Sequence, residues 1–438
     1  MNILTVDFGS TYTKATAINE GIIGTAKAFT TIETDVRDGL NIALAELKKQ
    51  TGITEFDKRL AASSAAGGLK MVAVGLVPAL TAKAALMAAQ SAGAKVVKTY
   101  AYELTSTEAQ EIADIDPDLI LLSGGTDGGN KEVILHNARK LSEIDKNFAV
   151  ISAGNKTAQD DVKKSFGKRN KHVVVVNNVM PSLGVLDIMP AKEAIRNLFM
   201  EKIVVAKGLG LAAKTMDLAL IPTPLAVFYA AELLGTEIGS LAAVDVGGAT
   251  TDVYSVCDGM PTKRGVMQKG LPEPHAKRSV EGDLGMRYSL GSLIEAEPKS
   301  EGYESFLAKC TNDPSYVPKN EDIEADSFLC TKAIKIAIER HSGYLEKVYT
   351  PMGETFYQFG KDLTDVKYLI GTGGALIYAK SPKEVLENAL CTDEFSMRLT
   401  PKKPSFLFDK KYIFAAMGLL SQINKGLAIK IMQREVSP

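Results

Sequence analysis

Two stretches half a chain apart repeat one short pattern. Leu4-Thr5-Val6-Asp7-Phe8-Gly9-Ser10-Thr11-Tyr12-Thr13-Lys14 and Ala242-Ala243-Val244-Asp245-Val246-Gly247-Gly248-Ala249-Thr250-Thr251-Asp252 share one plan. In each, an apolar β-run ends on aspartate, one residue and a glycine follow, and a hydroxyl-rich turn feeds the next β-run. That order spells a hairpin. Two copies in a chain of 438 residues predict two lobes with a common core design. The length leaves room for a third unit, at roughly 150 residues per domain.

The rest of the chain fits round these hairpins. Ile3–Phe8, Tyr12–Ile18 and Ile22–Thr30 read as a β-meander, and Val36, Leu40, Ala43, Leu44 and Leu47 recur at helical spacing over 36–50. From about 59 to 207, β-runs (Leu60–Ser64, Met71–Gly75, Lys95–Ala101, Leu119–Ser123, Ala149–Ser152, Val173–Asn177) alternate with helical stretches such as Pro78–Ser91, Thr105–Ile115 and Glu132–Ile144. Alternation of this kind predicts an α/β unit with a parallel sheet covered by helices. A helix over Thr223–Leu234 leads into Leu241–Val246, the turn, and Thr251–Cys257. Residues 259–326 give no clear pattern; helices are expected at 328–348, 352–360, 381–390 and 410–432, and a strand at Val366–Ile370.

Paired Gly turns at strand ends suit polyphosphate. A glycine turn lets backbone amides close on an anion, and Ser10, Thr11, Thr13, Thr250 and Thr251 add hydroxyls. Asp7 and Asp245 would repel phosphate directly, so they fit a role holding Mg²⁺ through its waters or orienting an attacking water. Lys14 reads either as a phosphate contact or as an outward strand position, since its counterpart in the second hairpin is Asp252. A third Gly-rich turn, Gly371-Thr372-Gly373-Gly374-Ala375, follows the apolar Tyr368-Leu369-Ile370 and offers a flat backbone for adenine or ribose and a helix N-terminus.

With these strings in hand, the chain resembles the actin/sugar-kinase/chaperone ATPase superfamily. Asp7–Lys14 looks like its first phosphate motif, Asp245–Val253 its second and Gly371–Ala375 its adenosine motif. Pro222-Thr223-Pro224-Leu225-Ala226 with Val227–Leu234 resembles its first interdomain helix, and Ala415-Ala416-Met417-Gly418-Leu419-Leu420 its second. The resemblance implies an α/β, two-lobed actin-like (ribonuclease-H-like) fold with the extra α/β unit inserted in the first lobe. Residues 1–58 plus 208–240 would form the first lobe, 59–207 the insert and 241–438 the second lobe. ATP and Mg²⁺ would sit between the lobes. Asp7 and Asp245 would be catalytic and metal-holding. Gly9, Ser10, Thr11, Thr13, Lys14, Gly247, Gly248, Thr250, Thr251, Asp252, Gly371, Thr372, Gly373 and Gly374 would contact nucleotide.

A closer resemblance is to the MutL/GlmL-type accessory proteins of adenosylcobalamin-dependent glutamate mutase and related aminomutases. It rests on Leu119-Ile120-Leu121-Leu122-Ser123-Gly124-Gly125-Thr126-Asp127-Gly128-Gly129-Asn130-Lys131, on Val280-Glu281-Gly282-Asp283-Leu284-Gly285-Met286-Arg287-Tyr288, and on the second hairpin. It implies a chaperone-like, ATP-hydrolysing reactivating factor that exchanges damaged cobalamin out of a partner mutase or aminomutase. The chaperones of the superfamily carry a glutamate beside the Pro-Thr of the first interdomain helix. Here Ile221 or Thr223 stands there, which leaves hydrolysis slow or served by Asp7 or Asp245. A small-molecule kinase and an actin-like filament protein are the competing readings.

Composition narrows the partners. Lys+Arg 51 against Asp+Glu 52 gives a net charge of −1, no electrostatic ground for nucleic acid or an anionic membrane. Cys257, Cys310, Cys330 and Cys391 lie far apart without a Cys-x-x-Cys pair, so no zinc site or disulfide scaffold is expected. The first residues lack a basic start and a long apolar run, and no span reaches 18 uncharged apolar residues. The expected location is the cytoplasm; a homo-oligomer stays open. Asp127 in the Ser123–Gly129 loop, and Glu281 and Arg287, are candidates for a second ligand site or a partner face, or else for a turn and a surface ion pair.

Overall fold

A computed structural model of the chain describes residues 1–9, 11–31, 34–64, 70–169, 171–203, 208–296, 303–313, 315–319, 322–351, 353–390 and 396–438. Ser10 and Cys391 lie outside the described residues. Two compact units are present: residues 1–227 with 418–427, and residues 228–417 with 428–438.

In the first unit β1 (Ile3–Phe8), β2 (Tyr12–Ile18) and β3 (Ile22–Phe29) form an antiparallel meander in which Asp7 pairs with Lys14 and Phe8 with Thr13. Ile3, Leu4, Val6 and Phe8 are all buried, as a central strand covered on both faces requires. Helix α1 (Val36–Thr51) turns Val36, Leu40, Ala43 and Leu47 inward; Asp35 caps its start and Gly52, at φ 72°, ends it. Strand β4 (Lys58–Ser63) then joins β1 in parallel.

The chain next leaves that sheet to build another. It runs through β5 (Lys70–Gly75), a π-helical turn (Pro78–Ala82), α2 (Lys83–Ser91), β6 (Lys95–Ala101), α3 (Ser106–Ile115), β7 (Leu119–Leu122), α4 (Glu132–Glu143), β8 (Ala149–Ser152), α5 (Gln159–Gly167) and β9 (Val173–Val175). Every pairing is parallel, in the order β6-β5-β7-β8-β9. The continuous apolar runs of β7 and β8 are buried throughout. A capping box between Thr105 and Glu108 opens α3. After α6 (Met189–Ile203) and α7 (Leu209–Ala213), the two-residue β10 (Ile221–Pro222) returns beside β4, completing the order β10-β4-β1-β2-β3.

Helix α8 (Thr223–Ile238) carries the chain into the second unit, where β11 (Leu241–Val246) and β12 (Thr251–Val256) form the second hairpin. Strand β13 (Val266–Lys269), β14 (Ala276–Glu281), α9 (Leu290–Ala296), α10 (Glu304–Asn312), α11 (Asp322–His341), β15 (Tyr344–Thr350), β16 (Gly353–Phe359), β17 (Tyr368–Thr372), α12 (Gly374–Ile377), α13 (Pro382–Ala389), β18 (Ser405–Phe408), α14 (Phe414–Leu420) and α15 (Lys425–Glu435) follow. The main sheet runs β14-β12-β11-β17-β18, with β12 and β14 antiparallel on one side of β11 and β17 and β18 parallel on the other. Strand for strand this repeats the first sheet. Each unit therefore holds the ribonuclease-H-like sheet of actin-type ATPases, and the chain is an α/β protein of that fold. Helix α11 packs Leu329, Ala333, Ile334, Ala337 and Ile338 into the core with Val244, Val246 and Val253.

The expected helix at 352–360 is instead β16, and the C-terminal part of the one expected at 328–348 is β15. The two pair as a hairpin beside β13. Tyr344, Val348, Tyr349, Thr350, Thr355, Phe356, Tyr357 and Phe359 are dense in aromatic and β-branched side chains, which favour the pleated state. Among the described residues no helix is long and apolar enough to cross a membrane.

Candidate functional site

In the first unit, Asp7 is next to last in β1, on the face it shares with Lys14, its cross-strand partner. Thr223, at the first position of α8, donates its hydroxyl to Asp7 Oδ1 at 2.5 Å. Burial raises the Asp7 pKa above the ordinary carboxylate range, although Lys14 and the Thr223 bond oppose it. Asp7 is partly open to solvent at the strand end, so it combines access with a poorly hydrated surround. The turn is tight: the Gly9 amide donates to the Tyr12 carbonyl at 3.1 Å, and a Cβ on Gly9 would lie 2.6 Å from that oxygen. Thr11 is half-buried and its carbonyl accepts from the Thr30 amide. Thr13 pairs with Phe8, on the face opposite Asp7, and is fully buried with its hydroxyl 3.0 Å from that of Thr30.

The second turn is built the same way and braced more heavily. Asp245 is next to last in β11, across from Asp252 on β12 and Thr372 on β17. The Gly247 amide donates to the Thr250 carbonyl at 2.9 Å. Three amides from the segment after β14 grip this turn: Met286 donates to the Gly247 carbonyl, and Arg287 and Tyr288 both donate to that of Gly248. Ser289 Oγ donates to the Ala249 carbonyl, and the buried Thr251 hydroxyl donates to that of Leu284. Gly285 packs so tightly that a Cβ there would lie 2.4 Å from the Ala249 carbonyl carbon. Among the described residues the Gly248 and Ala249 amides donate to no backbone carbonyl. A half-exposed turn with unspent amides has the chemistry of an anion nest. Asp252, by contrast, is turned inward to the buried Arg278.

At the third turn, Gly373 has φ 98° and would place a Cβ 2.4 Å from the Val246 amide nitrogen and carbonyl oxygen. The turn thus lies against the end of β11, beside the second hairpin. Gly371 is closed in by Leu376, and the buried Thr372 hydroxyl reaches Asp409 Oδ2 at 3.5 Å. Gly374 opens α12 toward the Tyr412 hydroxyl, whose pKa burial pushes well up, with Asp245 adding to the rise. Asp409 also accepts the Ile413 and Phe414 amides, fixing the start of α14.

Two of these partners carry no local sequence signal, and nothing local links the third to its carboxylate. Thr223 is 216 residues from Asp7, and Arg278 and Asp409 stand outside every motif. The grip on the second turn falls within the Val280–Tyr288 string already singled out. Arg287 itself pairs with Asp326 at 2.9 Å, and Glu281 and Asp283 share Arg340. Asp127 accepts from the Lys156 amide and from Asn178 Nδ2, both at 3.0 Å, while Asn155 ties Gly128, Gly129 and Asn130 together. The Ser123–Gly129 loop is thereby held by its own carboxylate and two asparagines.

Among the described residues no three His, Cys, Asp or Glu side chains gather as a metal cage. Mg²⁺ does not need one, since it takes one or two carboxylates, keeps several waters and is completed by substrate phosphates. A strand-end aspartate beside a glycine turn and hydroxyls fits that donor set.

The family described as "MutL protein" matches residues 3–436. A relative, "Protein MutL" of Clostridium tetanomorphum, is 47% identical over 454 aligned residues, covering 98% of each chain. Among solved structures, nucleotide-free acetone carboxylase is 12% identical with a TM-score of 0.39, covering 96% of this chain and 70% of that one. Gluconate kinase from Lactobacillus acidophilus is 12% identical with a TM-score of 0.36, covering 100% and 92%. Neither score adds to what the strand order shows. The match along nearly the whole sequence settles the matter: this chain belongs to the MutL family.

Proposed function

We propose that the chain binds MgATP, hydrolyses it slowly, and uses the cycle as a chaperone-like reactivating factor for an adenosylcobalamin-dependent mutase or aminomutase. One observation carries the reading: two sheets of identical strand order each place an aspartate next to last in their central strand, two residues ahead of the glycine of a turn. The family membership supports the accessory role.

In this reading the Gly247–Thr250 turn receives phosphate oxygens on its amides, and the Gly371–Gly374 turn lies along the adenosine. Asp7 and Asp245 are the carboxylates that would serve Mg²⁺ or orient the attacking water. Mg²⁺ supplies charge neutralisation of the phosphates when bound. Lys14, on the Asp7 face, adds positive charge, and Thr223 holds the Asp7 carboxylate in one orientation. Hydrolysis removes the γ-phosphate from these groups and so changes which conformation the nucleotide favours.

The test is ATP-dependent recovery of an inactivated cobalamin mutase by the purified protein, wild type against Asp245→Ala. The variant is expected to lose recovery by 100-fold or more, about 3 kcal/mol of transition-state stabilisation. Recovery that is indifferent to Asp245→Ala overturns the mechanism. Turnover that rises sharply with a small phosphoryl acceptor would favour a kinase instead, and ATP-dependent sedimentation a filament.

A further inference from the structure

Asp252 is 7% exposed and Arg278 3%. Arg278 Nε and Nη2 donate to Asp252 Oδ1 at 3.0 and 2.6 Å. The other carboxylate oxygen accepts the Thr250 hydroxyl at 2.9 Å. Arg278 Nη1 is buried without a hydrogen-bond partner; Asp252 is the main group that fixes the guanidinium, and Tyr254, its ring centre 6.0 Å away, assists.

The direction of this chain is set from its buried end. A guanidinium has donors only, and a carboxylate facing it only accepts. Asp252 therefore accepts on both sides, and Thr250 gives its single hydroxyl proton inward. Thr250 is half-buried on the turn, and what it presents outward is lone pairs. An oxygen of that kind can take a hydrogen from a metal-held water; it has no proton left for a phosphate oxygen.

We infer that Arg278 is a positioning residue: by holding Asp252 it makes the Thr250 hydroxyl an acceptor for the hydrated Mg²⁺ of the nucleotide, the reverse of the phosphate-donor role that the motif suggests. The inference deepens the MgATP reading above and rests on it. A hydrogen-bond partner in the outer shell of a metal typically controls its affinity by about 10- to 100-fold.

Calorimetric titration of ATP into the full-length protein, in EDTA and across a Mg²⁺ series, tests it. Thr250→Val and Arg278→Met are each expected to weaken the Mg²⁺-dependent part of ATP affinity by about 10-fold, and to leave affinity in EDTA within about twofold. Thr250→Ser is expected to behave as wild type, and the Thr250→Val/Arg278→Met double variant to lose no more than either single change. A loss for Thr250→Val that is equal in EDTA and in Mg²⁺ overturns the inference, because it marks a broken phosphate contact. A folded Arg278→Met protein with wild-type Mg²⁺ dependence overturns it too. Should Arg278→Met unfold, the contrast of Val with Ser at position 250 decides alone. Wild-type protein that takes up no ATP in either condition removes the MgATP reading and this inference with it, an outcome told apart from the others by the wild-type trace.

Discussion

Gly418 lies so close to Ala226 that a Cβ on the glycine would fall 1.7 Å from the alanine carbonyl oxygen. Helices α8 and α14 therefore cross backbone against backbone at this point, within the first unit. Space, not torsion, dictates the residue, since Gly418 is absent from the positive-φ glycines of the chain. Gly418→Ala is expected to force the helices apart at an overpacking cost of about 1–3 kcal/mol. A thermal melt reads it, and an unchanged melting temperature would show that the crossing is not held.

Gly373 and Gly374 are adjacent but unequal. Alanine at 373 meets both a positive φ and the Val246 backbone at 2.4 Å, whereas alanine at 374 meets only the Tyr412 hydroxyl at 3.0 Å. Gly373→Ala should destabilise by more than about 2 kcal/mol, the combined cost of strain and overlap. Gly374→Ala should cost less than half of that, since an alanine suits the first turn of a helix. Urea unfolding of the two variants side by side checks the order.

Asp7 has a stability consequence with a definite sign. Its folded pKa is raised, chiefly by burial, so the native state holds the proton more tightly than the unfolded chain. Stability then falls as pH climbs from the ordinary aspartate value of about 4 through the raised one. Asp7→Asn keeps an oxygen to accept from Thr223 and removes that fall. The variant is expected to melt higher than wild type at pH 7 while binding MgATP more weakly; a lower melting temperature at pH 7 would contradict the account.

His341 acts in the opposite sense. It is fully buried between the hydroxyls of Ser279 and Ser255, and burial, then Lys277 and Lys361, push its pKa well below the imidazole range. The unfolded chain takes up a proton near pH 6.5 that the native state refuses. Stability should therefore decline below about pH 6.5 by up to about 1.4 kcal/mol per pH unit from this group. Denaturant midpoints of His341→Gln between pH 6.5 and 5 should show a flatter dependence than those of wild type.

The hairpins were legible to within one residue: Ile3–Phe8, Tyr12–Ile18 and Leu241–Val246 are strands as read, and the run read as Thr251–Cys257 stops at Val256, because an apolar run leading into Asp-x-Gly allows little else. The β15–β16 hairpin was not, because charged residues between its aromatics mimic a helical repeat and only the pairing of Val348 with Thr355 and its neighbours decides the state. In the candidate site, the glycines announced their turns. The contacts that set these side chains' surroundings did not show: Thr223 with Asp7, Arg278 with Asp252 and Asp409 with Thr372 are brought together by tertiary pairing across 216, 26 and 37 residues.

The bracing of the Gly247–Thr250 turn bears on how fast a guest can be captured. Its carbonyls are engaged by Met286, Arg287, Tyr288 and Ser289 before any guest arrives. Little freedom remains there to surrender, so the entropic toll of fitting the loop to a guest is small. Encounter frequency, rather than loop rearrangement, then sets the pace of docking at this turn.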